Sequence, residues 1–288
     1  MTAPDVAEWQ SAIVCSDNLE VLRRTPADSI RLIYIDPPFN TRTDRRLQSI
    51  ALGSGESTRR GFAGKTYKFR VVSDSTWNDN MNLDEYLEFM WVRLVEMRRV
   101  LKPDGSIYVH VDWRVAHYIR LLLDELFGYD RFLNEIIWSY DYGGRARDKW
   151  ARKHDNIYWY AKGSTWVFHR DEIDRIPYMA PDLVGPEKAA LGKLPTDVWW
   201  MTIVPTNSRE RTGYPTQKPL KLLERIVRAS SDPGDLVGDY FCGSGTTAVA
   251  CARLGRRFVL VDSNPEAVAI ARERVSLVTS GVVRHQLP

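Results

Sequence analysis

The chain has 288 residues, enough for one large α/β domain with an elaboration. Its 44% hydrophobic and 27% charged residues exclude disorder, collagen-like repeats and a disulfide scaffold. The net charge of +3 hides two basic segments, 41–70 at +6 and 145–170 at +5, that leave the rest of the chain at −8, a distribution suited to a polyanion whose phosphates they neutralise.

In chain order, Arg31-Leu-Ile-Tyr-Ile35 is a short apolar run ending at Asp36-Pro37-Pro38, as a buried parallel strand would. From Gly53 to Gly64 Gly, Ser, Thr and Arg follow one another without periodicity, which predicts a mobile surface loop. Residues 83–101 place Leu83, Tyr86, Leu87, Met90, Leu94, Met97 and Leu101 at helical intervals. Lys102-Pro-Asp-Gly105 then turns into a strand over 106–111, and a second amphipathic helix covers about 114–127. This alternation is βαβ logic and predicts a parallel sheet. Residues 141–210 break it with Gly143-Gly144, a basic stretch and scattered aromatics, so an inserted region is expected there. Beyond Pro219 the alternation resumes, with helices at about 219–230, 246–254 and 265–277 and strands at 235–241 and 257–261. Three cysteines, Cys15, Cys242 and Cys251, lack metal-ligand spacing and suit a reducing cytosol. No segment approaches 18 uninterrupted apolar residues and no basic start precedes an apolar run, so a cytoplasmic protein without a membrane partner is expected.

Two stretches carry chemistry. Asp239-Tyr-Phe241-Cys-Gly243-Ser244-Gly245-Thr246 joins a predicted strand to a predicted helix, and the next strand ends at Asp262, nineteen residues past Gly243. Glycines admit close backbone approach, a helix N-terminus offers free N–H groups, and the distal acid suits ribose hydroxyls, so this is a nucleoside-binding half-site. The third glycine of a dinucleotide fingerprint is missing, which favours S-adenosylmethionine, a ligand without a pyrophosphate. The other stretch, Asp36-Pro37-Pro38-Phe39, sits where open α/β sheets place their ligands. It offers a carboxylate, a carbonyl from a residue lacking N–H, and an aromatic face, a set that can accept from an amino group and stack on its ring.

Together these motifs make the chain resemble the beta class of exocyclic-amino DNA methyltransferases, in which the Asp-Pro-Pro-aromatic motif precedes the Phe-x-Gly-x-Gly motif. The resemblance extends to Ser16-Asp17-Asn18, Leu101-Lys-Pro-Asp-Gly-Ser106 and Tyr214-Pro-Thr216-Gln-Lys218-Pro219, from about residue 14 to 275. It implies an α/β fold, a Rossmann-like S-adenosylmethionine-dependent methyltransferase sheet with permuted motif order. It also implies three regions: 1–140 as catalytic half with a basic loop at 41–80, 141–204 for target recognition, and 205–288 as cofactor half. Catalysis is expected of Asp36, Pro37, Pro38 and Phe39. Cofactor binding is expected of Asp17, Thr216, Lys218, Asp239, Phe241, Gly243, Ser244, Gly245, Thr246 and Asp262, with Thr216 and Lys218 at the methionine end. Phosphate contacts to double-stranded DNA are expected of Arg45, Arg46, Arg59, Arg60, Arg145, Arg147, Lys149, Arg152 and Lys153. The family reaction methylates adenine N6 or cytosine N4 directly on a flipped base, without a cysteine nucleophile, so Cys242 reads as packing. Asp at the head of the motif favours adenine. The resemblance also allows a homodimer and a separate restriction enzyme as partners.

Phe39 departs from the commoner Tyr, and Tyr240 stands where Pro is frequent. His110, Asp112 and His117 lack a fourth ligand cluster, so no metal is expected; His110 or Asp112 instead reads as lining the base pocket. Pro181-Asp182 followed by adjacent Glu187-Lys188 does not form a nuclease motif. A dinucleotide-dependent oxidoreductase, a non-catalytic DNA-binding module, and methylation of RNA or protein remain the alternatives.

Overall fold

The computed structural model describes residues 11–40, 45–60, 66–77, 81–143, 145–205 and 207–280, with 45–60 and 66–77 as backbone only. Its strands are β1 (Ala12–Cys15), β2 (Ile30–Ile35), β3 (Arg45–Arg60), β4 (Thr66–Trp77), β5 (Leu101–Val111), β6 (Phe132–Ser139), β7 (His154–Ala161), β8 (Val198–Trp200), β9 (Leu236–Asp239) and β10 (Arg257–Asp262). The helices are α1 (Asn18–Arg24), α2 (Leu83–Val100), α3 (Ala116–Phe127), α4 (Pro186–Leu191), α5 (Leu220–Ser230), α6 (Thr246–Leu254) and α7 (Pro265–Thr279). Eight strands form one sheet in the order β1-β10-β9-β2-β5-β7-β6-β8. The first five are mutually parallel, and β7 runs antiparallel to both β5 and β6.

The parallel strands are continuous apolar runs because both faces are covered, and successive side chains alternate between the two layers. Ile33, Ile35, Val109 and Val259 point into a core completed by α1, α2 and α3. Leu32, Tyr34, Tyr108, Val237 and Leu260 point into a second core completed by α5 and α6. Helix α2 starts where Asn82 and Glu85 satisfy each other's backbone N–H in a capping box. It ends at Val100, and β5 begins at once, so Lys102-Pro-Asp-Gly105 lies within the strand range rather than in a separate turn.

Two regions hold more regular structure than their sequence suggests. The aperiodic stretch from Gly53 takes in the end of β3, and the region expected as a basic loop at 41–80 contains the long antiparallel pair β3 and β4, running from Arg45 opposite Trp77 to Arg60 opposite Thr66. Residues 61–65 lie outside the description. Gly and Ser masked the alternation in 45–60, whereas Thr66-Tyr-Lys-Phe-Arg-Val-Val carried β-prone residues that could have signalled it. The inserted region expected at 141–204 is interrupted by the main sheet itself, since β7 lies between β5 and β6 and β8 pairs with β6. Tyr158, Trp159 and Tyr160 are accordingly buried core, as is Trp199, while Trp200 is exposed.

Candidate active site

Because β1, β10, β9 and β2 are parallel, the residues that end or follow them emerge at one edge, bringing Asp17, Asp36, Asp239 and Asp262 around the crevice between β9 and β2. A single cavity of about 330 Å³ joins Asp36-Pro37-Pro38-Phe39 to the glycine loop. Its remaining wall includes Phe89 and Arg93 of α2 and the Tyr214, Thr216 and Lys218 stretch.

The glycine loop is built for close approach. Gly243 and Gly245 adopt φ of +48° and +74°, a region that other residues enter at a cost. A Cβ on Gly243 would stand 3.2 Å from the Tyr214 ring, and one on Gly245 would collide at 2.5 Å with the Ala271 Cβ of α7. The Gly243 N–H donates to Asp262 Oδ2 at 2.8 Å, and Asn264 N–H donates to Asp262 Oδ1 at 2.9 Å. Asp262 therefore fixes the loop while lining the cavity. From α7, Arg274 donates to the Ser244 carbonyl (2.7 Å) and to Thr246 Oγ1 (3.0 Å). Burial pushes its guanidinium down to about 10. Burial likewise raises Asp239, to about 7. The Thr247 hydroxyl and Phe241 N–H bound to its carboxylate pull the other way, and Asp36 and Asp262 add repulsion.

Tyr240, in the place where proline is frequent, does not loosen this loop. Its side chain is fully buried, a Cβ at Gly238 would come within 3.0 Å of its ring, and its carbonyl accepts from Asn18 Nδ2 at 2.7 Å. Asn18 Oδ1 in turn accepts from Arg93 Nε at 2.6 Å, while Arg93 pairs with Asp17 at 2.9 Å and lies 3.6 Å over the Phe89 ring. One arginine on α2 thus ties the turn after β1 to the turn after β9.

At the other end of the cavity, Lys218 Nζ forms an ion pair with Asp36 Oδ2, and both side chains are largely buried. Asp36 Oδ1 is buried without a hydrogen-bond partner among the described residues. The turn closes at Asn40, with φ of +49° and its Oδ1 accepting from Met81 N at 3.1 Å, which pins the motif to the start of α2. Beneath Phe39 lies a buried polar chain. Tyr34 Oη meets His110 Nδ1 at 2.8 Å, His110 Nε2 meets Asp155 Oδ2 at 3.1 Å, and the Tyr140 hydroxyl donates to Asp155 Oδ1 at 3.1 Å. The His110 ring stands 6.0 Å from that of Phe39 and edge-on to Trp138 at 5.4 Å. Burial opposes ionisation of Asp155, but the His110 contact and the nearby Lys218 charge hold it below the usual carboxylate range.

An α/β sheet with a glycine-bearing strand-to-helix loop, an acid after the next strand, and a second acidic motif opening on the same cavity defines an S-adenosylmethionine-dependent methyltransferase. The excess of carboxylates around the cavity suits a cationic sulfonium ligand. The family described as DNA methylase, covering N6 and N4 amino-methylation, matches residues 30–273, and the chain belongs to it. It is 33% identical to the type II methyltransferase M.HpaI of Haemophilus parainfluenzae, over 93% of this chain and 75% of that one. It is also 27% identical to the DNA adenine methyltransferase YhdJ of Escherichia coli (strain K12), over 93% and 83%. Among solved structures, the TTHA0409 protein of Thermus thermophilus complexed with S-adenosyl-L-methionine matches with a TM-score of 0.60 at 21% identity, covering 94% and 95% of the two chains. The cytosine-N4-specific PvuII DNA methyltransferase matches at 0.63 and 18%, covering 96% and 94%; at these identities the likeness is one of fold. S-adenosylmethionine is the cofactor.

Of the site residues expected from sequence, the catalytic four and all those expected at the cofactor except Gly245 line the one cavity. Gly245 instead packs against α7. Lys218, expected at the methionine end, has its ammonium on Asp36. His110 lies fully buried under Phe39, and Asp112 is paired with Arg114 rather than lining this cavity. Arg145, Arg147, Lys149 and Arg152 are exposed and Lys153 is half-buried. The side chains of Arg45, Arg46, Arg59 and Arg60 lie outside the described residues. Cys242 is buried and burial raises its thiol, in keeping with packing. Among the described residues no group of three or more His, Cys, Asp or Glu could hold a metal ion, and no helix is long and apolar enough to cross a membrane. Sequence reading missed Phe89, Arg93, Asn40 and Arg274. The Phe89 and Arg93 spacing of four on α2 was the available signal for one helix face, but nothing in the sequence said which face meets the cofactor turn.

Proposed function

We propose that the protein is a site-specific DNA methyltransferase acting on adenine N6 in duplex DNA, in the cytoplasm, by base flipping and direct in-line transfer. The observation that carries this reading is the buried, unpartnered Asp36 Oδ1 in a cavity continuous with the cofactor loop. A buried carboxylate oxygen without a donor is costly, and an exocyclic amine supplies that donor. An aromatic amine is a poor nucleophile because its lone pair is delocalised. Hydrogen bonds from its two N–H groups to Asp36 and to the Pro37 carbonyl favour a tetrahedral nitrogen whose lone pair is free. Phe39, supported from below by His110, supplies the face on which a flipped base stacks. When bound, S-adenosylmethionine supplies the methyl group as an electrophile. Asp262, Gly243 and Ser244 would hold it, with Asp17, Phe89, Phe241, Asp239, Thr216 and Thr246 forming the rest of the wall. Lys218 holds Asp36 in place from the side opposite its free oxygen. Aspartate at the head of the motif and the adenine specificity named for YhdJ favour adenine; cytosine N4 presents the same two-hydrogen donor, and a family that spans N6 and N4 enzymes keeps it as the second reading.

The test is to incubate the protein with labelled cofactor and mixed-sequence duplex DNA, digest to nucleosides, and identify the product by mass. N6-methyladenine is expected. N4-methylcytosine would overturn the base while leaving the role of Asp36 standing, and label in RNA or protein alone would overturn the substrate class.

A further inference from the structure

Next to the reaction cavity a second cleft of about 360 Å³ opens, also at the strand-end edge of the sheet. In the register of β2 with β5, Ile35 faces Val109, so Asp36 is level with His110 and Asp112 lies two residues further on. The cleft is therefore offset from the Asp36 level by about 7 Å along the neighbouring strand. A chain of contacts links the two sites: Tyr140 and Asp155 line the second cleft, and Asp155 reaches through His110 to Phe39 of the first.

The mouth of this cleft combines flat rings with held cations. Trp113 carries two guanidiniums, Arg152 at 3.5 Å and Arg114 at 4.9 Å from ring centroids. Arg114 is further fixed by its ion pair with the buried Asp112. Arg152 has no ion pair among the described residues, so its charge is free for an anion. The carboxylates that would repel an anion are engaged, Asp112 by Arg114 and Asp155 by His110 and Tyr140. Trp150, on the facing segment, is 96% exposed and lines the same cleft. A stacked guanidinium keeps its edge N–H groups for phosphate oxygens, while a solvent-exposed indole offers the flat apolar face that any base can cover.

We propose that this cleft is a second nucleotide subsite, in which Arg114 and Arg152, held on Trp113, take a backbone phosphate beside the target nucleotide and Trp150 stacks on a neighbouring base. The inference rests on the duplex-DNA reading above and adds the residues by which the strand is gripped next to the flipped position. Stacking would be tolerant of base identity, so this subsite contributes grip more than sequence choice.

The test titrates wild type and the Trp150→Phe, Trp150→Ala and Arg152→Gln variants with mixed-sequence duplex DNA, following intrinsic tryptophan fluorescence and binding at several salt concentrations. Wild-type emission should be quenched, and Trp150→Phe should lose that component while keeping DNA affinity. Trp150→Ala should bind about ten-fold more weakly, the scale of one base-aromatic stack. Arg152→Gln should reduce the salt slope by about 0.9, the value of one phosphate contact. Cofactor affinity should be unchanged in all three, which separates loss of the subsite from misfolding. A quench that persists in Trp150→Phe, together with wild-type affinity in Trp150→Ala, overturns the subsite while a DNA-methylating wild type leaves the function standing. A wild type that neither binds nor methylates duplex DNA overturns both.

Discussion

Three ionisable side chains, Asp36, Lys218 and Asp239, stand in two different settings in the cavity. Asp36 has a cation, Lys218, while Asp239 has only hydrogen-bond donors and is raised to about 7 by burial. A sulfonium ligand favours the charged form of Asp239, so cofactor affinity should rise as pH increases through about 7 and fall below it. In the free protein the sign is opposite. A carboxyl whose folded value lies above its unfolded one binds more protons when folded, so stability declines between pH about 4 and about 7. Calorimetric titration of the cofactor from pH 6 to 8 reads the first effect, and a flat profile would remove Asp239 from the site. For Lys218, replacement by Met leaves Asp36 buried without its cation. Turnover should then fall by more than cofactor affinity does, a split that steady-state kinetics beside binding measurements would resolve.

Helix α7 and the glycine loop are one mechanical unit. Gly245→Ala must place a methyl group against Ala271 and hold a left-handed φ, which together cost about 2–4 kcal/mol. A lowered Tm and weakened cofactor binding are expected. Arg274→Met keeps the stem but loses the Nη1 group that donates to Ser244 and Thr246, so cofactor affinity should drop with smaller effect on Tm. The motifs and the βαβ alternation were legible because strand, glycine loop and distal acid obey local rules of period and turn chemistry. Strand β2, helix α2 and the α6 to α7 stretch stand close to their expected bounds. What was illegible depends on partners far away in sequence. Nothing local says that Arg93 bridges to Asn18, that Tyr240 fills the space left by Gly238, or that the aromatic run at 158–160 is a central strand rather than part of an insert.

Over the whole molecule, one edge of the main sheet carries both halves of the site. Replacing Arg45, Arg46, Arg59 and Arg60 with Gln should flatten the salt dependence of DNA binding by about 0.9 in slope for each phosphate contact removed. An unchanged slope would take the 45–60 strand out of the DNA interface. The sheet also dictates how recognition can be transplanted. Exchanging 141–204 entire would replace β7 and with it Asp155, the support of His110. A chimera that spares 154–161 and 198–200 should keep cofactor binding while changing the methylated sequence, which sequencing of modified DNA would show. If that chimera methylates the original sequence, specificity lies elsewhere in the chain.

The most direct measurement is single-turnover methyl transfer to duplex DNA by Asp36→Ala saturated with S-adenosylmethionine. If the free oxygen of Asp36 accepts from the target amine, the transfer rate should fall by at least about 10²-fold, the scale of losing one preorganised transition-state contact, while calorimetry finds cofactor affinity within a few-fold of wild type. A transfer rate close to wild type would contradict the central role given to Asp36.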